Sequence, residues 1–346
     1  MSDIQKRKDE HLDLAAKGDV AFHDTTTLFE DVRFIHDALP ELAFDEIDTS
    51  LTILGKRLKA PISIAGMTGG TDRARDINRA LAAIAEQRGY VFGLGSQRAM
   101  LKSPDARSSY QVRDVAPNVL LFGNLGAVQA AKMKTSEVEA LLESVGADAL
   151  CLHLNPAQEL AQREGDRDFR GCLAGIQRMV NELGRPVIVK ETGCGIGQPV
   201  ARRLYESGVR HVDVSGAGGT SWVAVEAHRA DPARREVAHT FWEWGIPTAA
   251  SLAQVAPLGF ETVFASGGIM TGLDVAKAIA LGADAAALAR PVLKALDAGG
   301  NAGAEAFLDR IEIELKTAML LVGAKDLATL REVPRVVTGR LLEWMR

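Results

Sequence analysis

One unit recurs along this chain and limits what it can fold into: a helical pattern ends at a glycine, a few residues pass, and a short apolar run follows. It appears at Glu86-Gln87-Arg88-Gly89 before Val91–Leu94 and at Glu143-Ser144-Val145-Gly146 before Ala149–Leu152. It returns at Tyr205-Glu206-Ser207-Gly208 before His211–Val214, at Pro257-Leu258-Gly259 before Thr262–Ala265, and at Ala280-Leu281-Gly282 before Ala285–Ala289. A glycine just past a helix end supplies the left-handed backbone position that caps the helix. Apolar runs of four or five residues without alternation read as strands buried on both faces of a parallel sheet. With Ile62–Ala65, Val119–Phe122 and Val187–Lys190 the chain has eight such strands separated by helical stretches. Eight units of this kind closing on themselves make a (β/α)8 TIM barrel. An open doubly wound sheet is the competitor, but it calls for a Gly-x-Gly-x-x-Gly turn after the first strand, and none stands there.

The flanks are read by contrast with the barrel. Residues 1–60 form an N-terminal extension whose run Lys6-Arg7-Lys8-Asp9-Glu10-His11 would, on charge alone, be a solvated terminus. Within it, Leu51–Leu58 fits a hairpin acting as a plug or lead-in. The barrel is expected over 61–295. Residues 296–346 are expected as a C-terminal segment with helices at Ala304–Leu321 and Asp326–Leu330, packing on the barrel or at a subunit contact. A net charge of -5 over 346 residues gives no reason to expect nucleic acid or an acidic membrane as partner. The three cysteines have no paired spacing, and neither a secretory signal nor a membrane-spanning run is visible, so the expected setting is cytoplasmic.

A barrel presents its chemistry at the carboxyl ends of its strands. In order, those ends read Gly66-Met67-Thr68, Gly95-Ser96-Gln97-Arg98, Gly123-Asn124, His153-Leu154-Asn155-Pro156-Ala157-Gln158-Glu159, Lys190-Glu191-Thr192-Gly193, Ser215–Thr220, Ser266-Gly267-Gly268-Ile269 and Ala289-Arg290. The glycine-rich ends after strands seven and eight fall where this architecture binds phosphate through backbone N–H groups and a helix N-terminus. Lys190 closes an apolar strand, where an unpaired ammonium is costly; it should face an anion or an electron-rich ring, unless Glu191 or Asp213 pairs with it. Asn124, Ser96 and Thr220 around the same mouth could hydrogen-bond a planar heterocycle carrying a phosphate tail, a combination that points to FMN. His153, Asn155 and Arg98 suit an oxyanion such as diphosphate. Glu159 could hold Mg2+ against it. An FMN-dependent oxidoreductase of a small acid is one rival, although the loop after strand six lacks the His and Arg such an enzyme uses. A non-catalytic barrel binding a phosphorylated ligand is another.

At these residues the sequence resembles the type 2, FMN-dependent isopentenyl-diphosphate isomerases. The resemblance runs from Arg7 to about Leu341. It rests on Arg7-Lys8-x-Glu10-His11, Met67-Thr68-Gly69-Gly70, Gly95-Ser96-Gln97-Arg98 and His153-x-Asn155-x-x-Gln158-Glu159. Further matches are Gly165-Asp166-Arg167-x-Phe169, Lys190-Glu191-x-Gly193-x-Gly195-Ile196, Asp213-x-Ser215-Gly216-x-Gly218-Gly219-Thr220, Trp244–Thr248 and Gly267-Gly268-Ile269. The resemblance implies a homotetramer or homo-octamer, a flavin reduced by NAD(P)H, Mg2+ on the diphosphate, and interconversion of isopentenyl and dimethylallyl diphosphate in isoprenoid biosynthesis. FMN contacts carried over by motif are Gly66, Met67, Thr68, Ser96, Asn124, Lys190, Ser215 and Thr220, then Gly268, Ile269, Met270, Ala289 and Arg290. Diphosphate contacts are Arg7, Lys8, Ser96, Gln97, Arg98, His153 and Asn155; Gln158 would meet the hydrocarbon end as the catalytic residue, and Glu159 the metal. Arg7 and Lys8 thereby become a basic clasp instead of a frayed end. Met270 and Arg290 depart from common family choices; if contact there is mainly through backbone, FMN binding survives and only the charge of the phosphate pocket is redistributed.

The reaction implied is a 1,3-allylic proton shift. No side chain at the strand ends is acidic enough to protonate an alkene, so reduced FMN is expected to carry that step. Gln158 is neutral and suits orientation or relay better than strong-base chemistry.

Overall fold

In the computed structural model, which describes residues 3–346, eight parallel strands close on one another in chain order. They are β1 (Ile62–Ile64), β2 (Val91–Gly93), β3 (Leu120–Gly126), β4 (Ala149–His153), β5 (Val187–Lys190), β6 (His211–Asp213), β7 (Thr262–Ser266) and β8 (Ala285–Leu288). The ring closes where Ala286 and Leu288 of β8 lie beside Ile62 and Ile64 of β1. The barrel expected from the repeating unit is the barrel found. Gly89 and Gly146 adopt left-handed backbone at φ 65° and 67°, each returning its N–H to the helix it ends.

Alternation along each strand makes two apolar layers. Leu150 and Leu152 of β4 face outward into the large core between strands and helices. Ala149 and Cys151 face inward, with Phe122, Ile188 and Phe264. Phe122 and Phe264 meet edge to face across the interior, their centroids 5.8 Å apart. Below them, Ile53 and Leu58 enter the same inner layer from an antiparallel hairpin, Leu51–Ile53 with Lys56–Leu58. Consecutive left-handed residues, Leu54 and Gly55, give its two-residue turn the twist that a tight hairpin needs. Lys56 Nζ fixes it to the barrel through the carbonyls of Asn118 and Val119 and the carboxylate of Asp148. The hairpin therefore stoppers the N-terminal end of the barrel and leaves chemistry to the opposite end.

The C-terminal residues pack on this frame. A helix at Arg290–Leu320 starts directly at the end of β8 and kinks only at Gly300, so the boundary expected at 295/296 falls inside a continuous helical stretch. Arg88 and Tyr90, at the start of β2, tie it down through Glu312. The strand Arg335–Val337 pairs antiparallel with Val32–Phe34, joining the two ends of the chain. At the other end of the barrel, the helix Asp3–Lys17 buries Leu12 and Ala16 and lies across the mouth. No helix among the described residues is long and apolar enough to cross a membrane.

Candidate active site

A cavity of about 470 Å3 occupies the barrel mouth, between the carboxyl ends of the strands and the N-terminal helix. Polar groups are set among the apolar side chains of its inner wall. Lys190 lies beside Asp213 of β6 and His153 of β4 in the strand register, and its Nζ donates to the Glu191 carbonyl at 3.0 Å. Asp213 is buried. Its Oδ1 accepts from Ser266 Oγ at 2.7 Å and from the Ser215 N–H at 3.2 Å. Burial raises its pKa, with the Lys190 charge and these donors pulling the other way. Ser215, next along, stands at φ 40°, a conformation rare for a residue with a side chain.

The far end of the cavity is built from backbone brought into close approach. A Cβ on Gly219 would come within 2.4 Å of the Gly268 nitrogen, so the loops after β6 and β7 touch only because glycine stands there. Gly268, Ile269 and Met270 line this end together with Ala289, the cap of the long helix, whose side chain offers that helix terminus no hydrogen bond. A helix N-terminus with free donors is an anion site. Arg290 also lines the cavity, and its guanidinium donates to the carbonyls of Ala15 (2.9 Å) and Gly18 (2.8 Å) at the end of the N-terminal helix. Gly66, Met67, Thr68, Ser96, Asn124 and Thr220 complete the wall. The hydroxyls of Thr68 and Thr192 are buried in it without a partner. Orphaned hydroxyls, a glycine cradle, an ammonium and a helix N-terminus around one cavity fit a flavin mononucleotide.

The end of β4 gathers the groups expected for an oxyanion and a metal. Asn155, cap of the helix Pro156–Ala161, donates to Gln158 Oε1 and Glu159 Oε1, both at 3.2 Å. Glu159 is buried; its Oε2 accepts the Asp166 N–H at 2.7 Å, and Arg98 lies 3.5 Å from Oε1 and 3.4 Å from Asp166. His153 Nδ1 is 2.8 Å from Asn124 Oδ1, and Asn124 Nδ2 donates to the Leu94 carbonyl. That orientation makes His153 Nδ1 the donor and leaves a lone pair on Nε2. Burial, then Lys190, Lys8 and Arg98, push its pKa down to about 3. The unfolded chain binds this proton from pH 6.5 downward while the native state does not, so His153 lowers stability as pH falls from 6.5 towards 3. A diphosphate beside it should reverse the balance of charge. NMR of labelled histidine is expected to show neutral His153 in the ligand-free protein from pH 5 to 8 and a protonated ring in the complex; a ring that stays neutral would remove it from the diphosphate contacts.

Arg7 and Lys8 reach the cavity from the N-terminal helix. Lys8 Nζ donates to the Ser96 carbonyl at 3.1 Å, and burial followed by the neighbouring Arg7 charge lowers its pKa to about 7. The helix is held by a carboxylate that sequence reasoning did not single out. Glu226, 1 % exposed, lies 3.0 Å from His11 Nε2 and 2.6 Å from Arg229, which also binds Glu10 at 2.8 Å. With its amide oriented to satisfy both neighbours, Gln162 bridges Glu226 to Arg7. Trp222, edge-on to His11, and Gln129, bound to Asp166, also line the cavity. Two of these had a signal. Glu226 is a lone carboxylate in Val223-Ala-Val-Glu-Ala227, and Gln162 follows Gln158 and Glu159 at helical spacing. Trp222 and Gln129 had none.

One expected contact is corrected. Gln97 is fully buried and turned away from the cavity: its Oε1 accepts the Asn124 N–H at 2.9 Å and its Nε2 faces Met100 Sδ and the Leu141 carbonyl. A glutamine beside Ser96 and Arg98 reads as a ligand in sequence, but here it stitches β2 to β3. The remaining expected site residues all line the cavity. After β6, the nearest His and Arg are already committed, His228 to the Asp19 carbonyl and Arg229 to two carboxylates, and neither lines the cavity.

Comparison with known proteins shows the family of the chain. The FMN-dependent dehydrogenase family matches residues 2–154 and 132–335. Isopentenyl-diphosphate delta-isomerase of Halobacterium salinarum is 47% identical over 348 residues, covering 99% of this chain and 96% of its own. The enzymes of the same name from Methanosarcina barkeri (45% identical, 100% and 95% covered) and Pyrococcus horikoshii (44%, 98% and 94%) are also similar. Among solved structures, a lactate oxidase of Pediococcus acidilactici superposes with TM-score 0.68 at 18% identity, covering 97% of this chain and 94% of its own. A mandelate oxidase carrying an FMN adduct does so with TM-score 0.66 at 20%, covering 94% and 95%. At those identities they share the fold alone.

Proposed function

The chain belongs to the FMN-dependent dehydrogenase family and, within it, to the isopentenyl-diphosphate delta-isomerases, and from that premise we propose how its residues divide the work. The protein is an FMN-dependent isomerase that interconverts isopentenyl and dimethylallyl diphosphate. The observation that carries the division of roles is that the cationic groups Arg7, Lys8 and Arg98 line the same cavity as the glycine cradle and Lys190. One ligand can thus be gripped by its charge while its apolar end lies over another.

In this reading Lys190, Ser215, Thr220, Asn124 and the orphaned Thr68 hold the flavin ring system, and the backbone of Gly268, Ile269, Met270, Ala289 and Arg290 holds its phosphate. When bound in reduced form, the flavin supplies the acid–base group that an alkene requires. Arg7, Lys8, Arg98, Ser96, His153 and Asn155 hold the diphosphate, and closing the N-terminal helix over it keeps water from the short apolar tail. Gln158, neutral and steadied by Asn155, orients the carbon that loses a proton or relays that proton onward.

No cluster of three metal-binding side chains exists among the described residues, so a resident metal does not fit. An ion arriving with the substrate does. Mg2+ needs only one or two carboxylates when diphosphate oxygens and water complete its shell, and Glu159 faces the cavity with Asp166 behind it. There it would neutralise diphosphate charge. Glu159→Gln is expected to raise the Mg2+ concentration for half-maximal activity by about 10- to 100-fold. FMN content should stay unchanged; equal loss of FMN would count against this role.

The finer assignments complete the proposal: NAD(P)H as reductant, a cytoplasmic setting, and a homotetramer or homo-octamer. Exposed Val237, Phe241 and Trp244 on one segment support self-association. Sedimentation of the holoprotein as a monomer would exclude it.

A further inference from the structure

Glu191 is a buried carboxylate that the roles above leave unused. It follows Lys190 directly, and the loop after it curls around it, so that the backbone N–H groups of Thr192 and Cys194 both donate to its Oε2. The loop so formed presents two further donors on its other side. Gly193 and Gly195 give their N–H groups to the Ser215 carbonyl at 2.9 and 3.0 Å, and both glycines stand at positive φ, 102° and 77°. Ser215 is the cavity residue at φ 40°, and its own N–H is held by Asp213. A non-glycine residue stays in that region only when its surroundings over-determine it. The loop is anchored in turn to the next layer, where Cys194 O accepts the Ile246 N–H and Ser251 Oγ accepts the Ile196 N–H.

We propose that Glu191 is a positioning residue for the flavin site: its carboxylate folds residues 192–195 into a clamp that holds Ser215 in its left-handed conformation and faces it into the cavity. The inference rests on Ser215 being a flavin contact. Burial pushes the Glu191 carboxyl up to about 7, the backbone donors opposing, so the site needs a hydrogen-bond acceptor more than a full charge. Gln can supply that acceptor and Leu cannot.

The test is a double-mutant cycle on FMN affinity with E191L, E191Q and S215G. Leaving the clamp donors without an acceptor, E191L is expected to weaken FMN binding about tenfold and shift the visible bands of the bound flavin, whereas E191Q stays within about threefold of the parent. Glycine adopts φ > 0 unaided, so in the S215G background E191L should cost no more than about twofold. Equal losses in both backgrounds overturn the clamp. Should E191L alone fail to fold, S215G in the same chain is expected to restore folded protein, and a double variant that stays unfolded overturns the proposal. Amide exchange at Gly193 and Gly195 in flavin-free protein reports the clamp independently: it should accelerate in E191L and not in E191Q, and unchanged exchange is contrary. S215A with undiminished FMN affinity would overturn the flavin contact itself, separately from the clamp.

Discussion

Lys190→Met is expected to lower turnover by about 100- to 1000-fold and to weaken FMN binding while leaving the barrel folded. The magnitude is that of removing one preorganised charge from a water-excluded site. Methionine roughly preserves the length of the side chain, so packing should change little. The charge has no substitute at that depth, since the other cations lining the cavity, Arg7, Lys8, Arg98, Arg290 and Lys294, come from other elements. The same substitution removes one of three cations that hold His153 neutral, so the His153 pKa should rise in the variant. Equilibrium dialysis of FMN, circular dichroism and steady-state rates check the three parts together. A variant that keeps its flavin and its rate would remove Lys190 from the flavin site.

The second large effect lies outside the barrel. Glu226→Gln is expected to cost about 3 kcal/mol of stability, the lower end for breaking a buried ion pair because Arg229 keeps Glu10. It is also expected to raise KM for the diphosphate at least tenfold, because Arg7 and His11 lose the group that fixes them. Burial alone would raise the Glu226 pKa, but the adjacent His11 ring and the Arg229 charge outweigh it and hold it below 4.5. An acid with a lowered native pKa stabilises above its unfolded value and loses that stabilisation as pH falls through the native one. The parent should therefore lose stability on acidification below pH 4.5 more steeply than the variant. Urea unfolding at pH 7 and pH 4 separates them, and equal slopes would show that Glu226 carries no linked charge.

What could be read without coordinates follows from periodicity. Eight apolar runs, five of them preceded by a glycine cap, leave one architecture that buries them all, and the strand ends then name the wall of the cavity. The same reasoning fails for groups whose role is set by a neighbour distant in sequence. Gln97 faces away because β3 needs its oxygen, and the Arg290 guanidinium is taken up by the carbonyls at the end of the N-terminal helix. Glu226 meets His11 only after a helix 215 residues away has folded across the mouth, and local spacing carries no trace of that. The hairpin at Leu51–Leu58 could be located in sequence but not assigned an end of the barrel, because either opening would accept two apolar side chains.

The account rests on a proton being moved within the substrate at a flavin site, with no net oxidation. Proton NMR of isopentenyl diphosphate in D2O, with the FMN-loaded protein, Mg2+ and a reductant, tests it most directly. Dimethylallyl diphosphate should appear with deuterium incorporated, and no oxidised carbon product should accumulate. Flavin-loaded protein that leaves the alkene in place and free of deuterium would contradict it.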